Sequence, residues 1–217
     1  MSAVSHRRVT PSFGKNTNFC EAQYIKPTSV VCSSLLDLFD VKVKQLSSHL
    51  QQPHVTLVEY KTARFLITDE PNAHNMENFV MVFKLHNVRK LVRVCKATYD
   101  KEPLEAVGIE VVDLEYDDGA PPPDVVIEKW FQLITDVCQQ SPGSCIAVHC
   151  KAGLGRAPAL VAAALIELGL PYTEAVEMIR GQRNGALNAR QVQYLKNFHP
   201  KKRLRHIKSQ SERCQLL

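Results

Sequence analysis

The chain has 217 residues, of which 45% are hydrophobic and 23% charged, so it is long enough and apolar enough to fold around its own core. No stretch approaches the roughly 20 apolar residues of a membrane-spanning helix, the start lacks a signal-peptide core, and Ser2 excludes N-myristoylation. The net charge of +5 comes from residues 196–217, where seven Lys or Arg face only Glu212; this favours an anionic surface over nucleic acid as the partner.

Residues 1–54 are predicted to be an extension. Its first part, to about residue 32, is rich in Ser, Thr, Asn and His and shows no periodicity. An apolar stripe from Leu35 to Leu50, preceded by Ser34 and Asp37 in an arrangement that resembles a capping box, predicts an amphipathic helix over 34–50. This helix either packs on the core of the same chain or docks on another protein.

Residues 55–200 are predicted to form a single α/β domain. Short apolar runs predict strands at 55–60, 64–68, 90–95, 109–114 and 145–149. Longer amphipathic segments predict helices at 76–86, 123–139, 157–168, 173–183 and 189–198. Their alternation predicts a mainly parallel central sheet flanked by helices, with a basic tail over 201–217.

The last predicted strand leads directly into a glycine loop and then a helix. Gly153 and Gly155 allow backbone N–H groups to turn inward, and Pro158 suits a first helical turn. Such a nest of donors at a helix N-terminus binds a tetrahedral dianion such as phosphate. The predicted phosphate-binding residues are Lys151, Ala152, Gly153, Leu154, Gly155 and Arg156.

Two side chains of this loop predict reactivity. Cys150 lies where the helix dipole and the loop donors favour the thiolate, which is the nucleophilic form. Arg156 returns to the same rim, and its planar fork can hold two phosphoryl oxygens. The loop lacks the Gly-Lys-Ser/Thr ending of a nucleotide P-loop, so ATP hydrolysis is not expected.

A general acid is predicted in the segment from Asp117 to Pro123, where two acids precede a glycine, an alanine and three prolines. Phosphoryl transfer from an alcohol needs an acid that protonates the leaving oxygen. In a parallel sheet the loop after the strand at 109–114 lies beside the glycine loop. Asp118, with Asp117 beside it, is therefore the candidate acid.

The other cysteines give no metal signal. The seven cysteines are odd in number and have no CxxC spacing, which argues against a zinc module or a disulfide framework and is typical of a cytosolic protein. Cys138 and Cys145 are predicted to be core or helix-face thiols.

These motifs resemble the phosphatases of regenerating liver, within the cysteine-dependent tyrosine and dual-specificity phosphatases. The resemblance extends from about Val55 to Cys214, and its motifs lie at 94–100, 117–122, 147–150, 152–158 and 185–188. It implies the cysteine-dependent phosphatase fold, a phosphoprotein substrate, no cofactor and no metal.

The resemblance also implies a role for each site residue. Cys150 is the nucleophile, Arg156 binds phosphate, Asp118 is the general acid with Asp117 as its neighbour, and His149 orients the loop. Cys95 corresponds to a second thiol that forms a reversible disulfide with Cys150. Ala157 stands where most of the superfamily has Ser or Thr, whose hydroxyl assists hydrolysis of the phosphocysteine, so slow turnover is expected.

The sequence departs from the family at three places. Leu114-Glu115-Tyr116 replaces the usual Trp-Pro-Phe, so we expect a differently shaped entrance. Lys151 replaces a small aliphatic residue, and the resulting Cys-Lys-Ala-Gly start of the loop resembles that of lipid phosphatases that act on phosphoinositides. This predicts that Lys151 attracts polyanionic head groups; the alternative is that Lys151 is a solvated lysine. The extension over 1–54 has no counterpart.

The sequence ends in Cys214-Gln215-Leu216-Leu217, which fits a geranylgeranylation signal on Cys214. One lipid gives marginal membrane binding, and the five basic residues between Lys201 and Lys208 provide the second attraction to an anionic leaflet. We expect a peripheral protein on the cytoplasmic face of the plasma membrane and endosomes, with a cytosolic pool.

Three functions remain open at this point. The first is a membrane-anchored protein tyrosine or dual-specificity phosphatase with a long-lived phosphocysteine. The second is a regulatory binding protein of CBS-domain magnesium transporters, gated by that phosphocysteine, and the third is a phosphoinositide phosphatase. Sulfur transfer by a rhodanese-like loop is disfavoured, because it does not need the acid loop or Arg156. Self-association is left open, and no nucleic-acid partner is expected.

Overall fold

The computed structural model describes residues 53–204 and 207, and these form an α/β domain. Its strands are β1 (Thr56–Tyr60), β2 (Ala63–Thr68), β3 (Val88–Arg93), β4 (Glu110–Asp113) and β5 (Cys145–His149). Its helices are α1 (Met76–Leu85), α2 (Glu102–Glu105), α3 (Asp124–Gln140), α4 (Arg156–Glu167), α5 (Tyr172–Gln182) and α6 (Ala189–Lys196). The predicted fold class is confirmed.

The sheet has the strand order β1-β2-β5-β3-β4, and only the β1–β2 hairpin is antiparallel. In the parallel part, Thr68 pairs with His149, His149 with Arg93, and Arg93 with Asp113. The carboxyl ends of β2, β5, β3 and β4 therefore form one edge. In parallel α/β sheets this edge carries the ligand site, which is where the sequence predicts the reactive residues.

Alternate residues of the central strands enter two cores, one on each face of the sheet. On one face, Phe65 and Val148 pack with Trp130 of α3 and with α4, whose residues are all buried. On the other face, Leu66 and Leu91 pack against the apolar sides of α1 and α2. Because α4 is buried on every side, its residues between Arg156 and Glu167 are all apolar.

A carboxylate at the end of α4 binds the segment that follows α6. Glu167, whose side chain is fully buried, accepts hydrogen bonds from the backbone N–H groups of Lys201 and Arg203 and from the Arg203 guanidinium. The guanidinium also lies 4.5 Å from the centre of the Phe131 ring, and Leu204 is buried. The start of the basic run is therefore part of the folded domain.

The predicted elements differ from the structure most clearly at β3 and α2, and the other bounds differ by at most two residues. β3 begins at Val88, which pairs with Cys145, and ends at Arg93, so Cys95 lies beyond the strand instead of ending it. Helix α2 was missed because four residues are too few to show a helical period.

The predicted helix at 34–50 and the lipidation signal at Cys214 lie outside the described residues. Within the described part of the chain, no helix is long and apolar enough to cross a membrane.

Candidate active site

The glycine loop from Cys150 to Gly155 joins β5 to α4 and has a conformation that requires Gly153. This residue has a φ of +67°, in the left-handed region that L side chains rarely adopt. A methyl group there would lie 2.9 Å from the Thr68 carbonyl carbon, and closer still to its oxygen and to Arg183 Nη2. The loop is therefore packed directly on the end of β2.

Arg183 is buried beneath the glycine loop and stabilises it through hydrogen bonds. Its side chain is 1% exposed, and Nη2 donates to the Ala152 carbonyl at 3.2 Å. Nη1 donates to Thr56 Oγ1 at 3.1 Å and to the Ile67 carbonyl at 3.3 Å. Sequence reasoning missed Arg183 because an arginine at the end of an amphipathic helix gives no sign of being buried.

Arg156 is held in place by the ends of two neighbouring strands. Nη1 donates to the carbonyls of Val94 at 3.3 Å and Tyr116 at 3.2 Å. In return, Tyr116 Oη donates to the Arg156 carbonyl at 2.7 Å. Nε of Arg156 lies 3.0 Å from Asp118 Oδ1, an ion pair whose angle falls short of a hydrogen bond.

Tyr116 is a second residue whose role the sequence did not reveal. We expected Leu114-Glu115-Tyr116 to shape the entrance, but Leu114 and Tyr116 are buried, at 4% and 7% exposed. Alternate residues of this segment continue the pattern of β4 and enter the core, whereas Glu115 is exposed, so the differently shaped entrance stays a prediction. Tyr116 is buried beneath the site, where its hydroxyl binds the Arg156 carbonyl and its own carbonyl binds the Arg156 guanidinium.

The acid loop is fastened to the start of α6. Asn188 Nδ2 donates to the Gly119 carbonyl at 3.0 Å, and Gln191 Nε2 donates to the Ala120 carbonyl at 3.3 Å. The same two side chains form the capping box of α6. Asp118 itself is 81% exposed, so its carboxylate reaches over the cleft from a loop whose base is fixed.

Cys150 and Asp118 line one cleft of about 400 Å³, and the Arg156 guanidinium is ion-paired with Asp118 at the edge of the cleft. Cys150 lies on its floor and is 3% exposed, while Lys151, Leu154 and Gln191 line its walls. Asp117 is exposed beside Asp118. Within residues 53–204, no cluster of His, Cys, Asp and Glu side chains could hold a metal ion.

His149 is neutral and connects the loop to the neighbouring strand. Its ring is fully buried, and burial lowers its pKa to about 4. In the neutral form that follows, Tyr99 Oη donates to Nε2 at 2.6 Å, and Nδ1 donates to the Cys150 carbonyl at 3.2 Å. Arg93 in turn donates to the Tyr99 carbonyl at 2.9 Å. These contacts orient the backbone of Cys150 and leave the ring no role as a proton carrier near neutral pH.

Cys95 lies two residues beyond the end of β3, in an environment that keeps its thiol protonated. Val94 N donates to the His149 carbonyl, so the chain at Cys95 runs beside the beginning of the glycine loop. Burial, followed by the nearby Glu70 carboxylate, raises the pKa of Cys95 to about 12. Cys95 Sγ donates to Glu70 Oε1 at 3.7 Å. The Cys95–Cys150 disulfide stays a prediction.

The sequence and fold of this chain are similar to those of known phosphatases. A family model described as Tc-R-P, polymorphic toxin system, DSP-PTPase phosphatase, matches residues 68–170. The chain is 49% identical to PRL-1 phosphatase of Drosophila melanogaster over 163 residues, which cover 75% of this chain and 93% of the relative. It is 46% identical to protein tyrosine phosphatase type IVA 2 of Mus musculus over 165 residues, which cover 76% and 99%.

Solved structures agree with these relatives. A protein tyrosine phosphatase from Leishmania major is 36% identical, with a TM-score of 0.62 over 67% of this chain and 99% of that chain. PTPMT1 in complex with PI(5)P is 25% identical, with a TM-score of 0.54 over 65% and 94%.

The fold and the glycine loop define a cysteine-dependent protein tyrosine phosphatase of the dual-specificity type. Nearly half of the aligned residues are identical to those of relatives that are covered almost completely. The chain therefore belongs to the phosphatase of regenerating liver family, the protein tyrosine phosphatases of type IVA. The predicted family is confirmed.

Proposed function

We propose that this chain dephosphorylates phosphotyrosine and phosphoserine or phosphothreonine side chains through a phosphocysteine on Cys150. The observation that carries the proposal is that Cys150 and Asp118 line one cleft and that Asp118 is ion-paired with Arg156. The thiolate attacks phosphorus while the bond to the substrate oxygen breaks, and Asp118 protonates that oxygen. Arg156, held through Nη1, stabilises the charge on the phosphoryl oxygens.

Water then attacks the phosphocysteine, the P–S bond breaks, and the thiolate and inorganic phosphate are released. We expect this second step to be slow, because Ala157 is a fully buried methyl side chain that can donate no hydrogen bond to the departing sulfur. A long-lived phosphoenzyme is the consequence.

Intact mass spectrometry after mixing with an activated aryl phosphate tests both steps. We expect a phosphate adduct that persists on the reduced wild-type chain and is absent in Cys150→Ser. Ala157→Ser should shorten the lifetime of the adduct, whereas Asp118→Ala should slow adduct formation only with a poor leaving group. Brisk turnover without an accumulating adduct would refute slow hydrolysis, and neither adduct nor turnover would refute the enzymatic proposal.

The persistent phosphocysteine also favours a second candidate function, in which the modified state gates binding to a partner. The family resemblance points to CBS-domain magnesium transporters as that partner. Ala157 supports this candidate, because an enzyme under selection for turnover gains from a hydroxyl there. Asp118→Ala discriminates between the two functions, since it should impair catalysis on poor leaving groups and leave binding to the partner intact.

Phosphoinositides are an alternative substrate class. The charge of Lys151, considered without its partner, supports them, and PTPMT1, to which this chain is 25% identical, has been solved with PI(5)P. Equal effects of Lys151→Val on phosphoinositide and phosphopeptide hydrolysis would remove this alternative.

We further propose that a prenyl group on Cys214 and the adjacent basic residues attach the protein to the cytoplasmic face of membranes. The sequence of the last four residues and the charge of the tail support this proposal. Cys214→Ser should move the protein from membranes to the cytosol in fractionated cells. Equal distribution of the variant and the wild type would contradict the proposal.

A further inference from the structure

Glu70 follows β2 by two residues and binds three side chains around the mouth of the site. Oε2 accepts a hydrogen bond from Lys151 Nζ at 2.5 Å. Oε1 accepts from Thr98 Oγ1 at 2.8 Å and from Cys95 Sγ at 3.7 Å. The side chain of Glu70 is 9% exposed, and that of Lys151 is 74% exposed. The carboxylate is therefore fixed by the fold, whereas the lysine is its exposed partner.

The backbone keeps the two residues together. Glu70 N donates to the Lys151 carbonyl at 3.2 Å, so the turn after β2 is joined to the glycine loop beside Cys150. Burial acts to raise the pKa of Glu70, but the hydrogen bonds from Lys151 and Thr98 outweigh it and hold the pKa below its usual range. Glu70 is charged at neutral pH, and the Lys151 ammonium already has an anionic partner.

This pairing changes what Lys151 can do for a substrate. Lys151 lines the cleft and follows the nucleophile directly. A group next to the scissile phosphate would therefore come within reach of its exposed side chain. Such a group, if anionic, has to replace the Glu70 carboxylate as the partner of Lys151. It also meets the negative charge of Glu70, which the fold holds in place.

We propose that Glu70 is a specificity-determining residue, which competes with the substrate for Lys151 and so disfavours a second phosphate next to the scissile one. The proposal rests on the proposed phosphatase function and names its substrate class: phosphopeptides whose neighbouring residue carries no phosphate. Lys151 becomes a receptor for a second phosphate only when the Glu70 carboxylate is neutralised or removed.

Binding to the Cys150→Ser chain tests this selection without requiring turnover. The probes are a short peptide with one phosphotyrosine and the same peptide with a neighbouring phosphothreonine, and calorimetry gives the ratio of their dissociation constants. Adding Glu70→Gln should shift this ratio about fivefold toward the doubly phosphorylated peptide, as expected for loss of one short-range charge pair. Glutamine keeps the shape of the side chain and an oxygen for Thr98.

Two further variants isolate the interaction. With Lys151→Met present, Glu70→Gln should shift the ratio much less, because no ammonium is left to be freed. Glu110→Gln is the matched charge control: Glu110 binds Lys90 at 2.6 Å but lies at the opposite end of its strand from the site. This control should leave the ratio unchanged.

An unchanged ratio in Glu70→Gln would overturn the proposal, as would an equal shift in the Lys151→Met background or in Glu110→Gln. Failure of the proposed function gives a different result. In that case neither peptide binds to the Cys150→Ser chain, and the wild type forms no phosphate adduct.

Discussion

Replacing Gly153 with alanine puts a methyl group where the glycine loop packs on β2. The backbone strain at a φ of +67° costs about 1–2 kcal/mol for an L-residue. The methyl group also overlaps the Thr68 carbonyl, which belongs to the sheet and cannot move freely, and such overpacking costs about 1–3 kcal/mol. Together these terms predict a loss of about 2–5 kcal/mol in the free energy of unfolding.

Gly185→Ala is the matched control for the strain alone. Gly185 has a φ of +79°, but its added methyl group meets nothing within 4 Å, so its predicted cost is about 1–2 kcal/mol. Urea unfolding followed by the fluorescence of Trp130, the single tryptophan and fully buried, measures both variants.

The contact of the loop with β2 and Arg183 predicts that Gly153→Ala is the more damaging change, by about 1–3 kcal/mol. Gly153→Ala should also abolish the phosphate adduct, because relief of the overlap displaces the loop from Arg183. Equal stabilities of the two alanine variants would refute the argument that the loop is packed tightly on the sheet.

Three other changes follow from contacts described above. Glu167→Gln removes charge-assisted hydrogen bonds to Arg203, so trypsin should cut the segment after α6 at least about tenfold faster. His149 has a lowered pKa in the folded chain, so the stability it contributes is present above about pH 6.5 and is lost as the pH falls toward 4. The free energy of unfolding should therefore drop by about 2 kcal/mol between pH 7 and 5. The drop should be smaller in His149→Asn. Tyr116→Phe should lower the free energy of unfolding by about 1 kcal/mol and slow adduct formation, because Arg156 loses a hydrogen bond.

Each of these expectations has an outcome that contradicts it. Unchanged trypsin cleavage would mean that Glu167 does not retain the segment. A pH profile of stability that is identical in the wild type and His149→Asn would mean that the ring does not remain neutral on folding. Unaltered adduct formation in Tyr116→Phe would mean that Arg156 is positioned by the carbonyls of Val94 and Tyr116 alone.

The sequence predicted the parts of the site that are continuous in the chain. The apolar run to His149, the two glycines and Arg156 determine a strand, a turn and a helix locally, and their order defines the loop. Asp118 was found because acids before Gly and Pro mark a loop, and a parallel sheet brings that loop to the same edge.

The supports of the site could not be predicted, because they are contacts between distant parts of the chain. Arg183 meets Ala152, and Gln191 meets Ala120, only after α5 and α6 have packed on the sheet. The sequence does not show that Glu70 is the partner of Lys151, because the two residues are far apart in the chain and only the fold brings them together.

The start of β3 was missed for a related reason. Arg89 and Lys90 follow Val88 and interrupt the apolar run, although Lys90 is paired with Glu110 on the next strand. A charged side chain within a strand can thus be paired with an opposite charge on the next strand, which the local sequence does not show.

The attachment of Arg203 to Glu167 limits how far the catalytic domain could lie from the lipid proposed on Cys214. Leu204 and Ile207 are both buried in the folded domain, so the chain length that separates the domain from Cys214 is counted from Ile207. Seven peptide units separate Ile207 from Cys214, and they span at most about 25 Å when fully extended. With the anchor proposed above, the cleft would stay close to the bilayer surface, and phosphoproteins held at the same membrane would meet it at a high effective concentration.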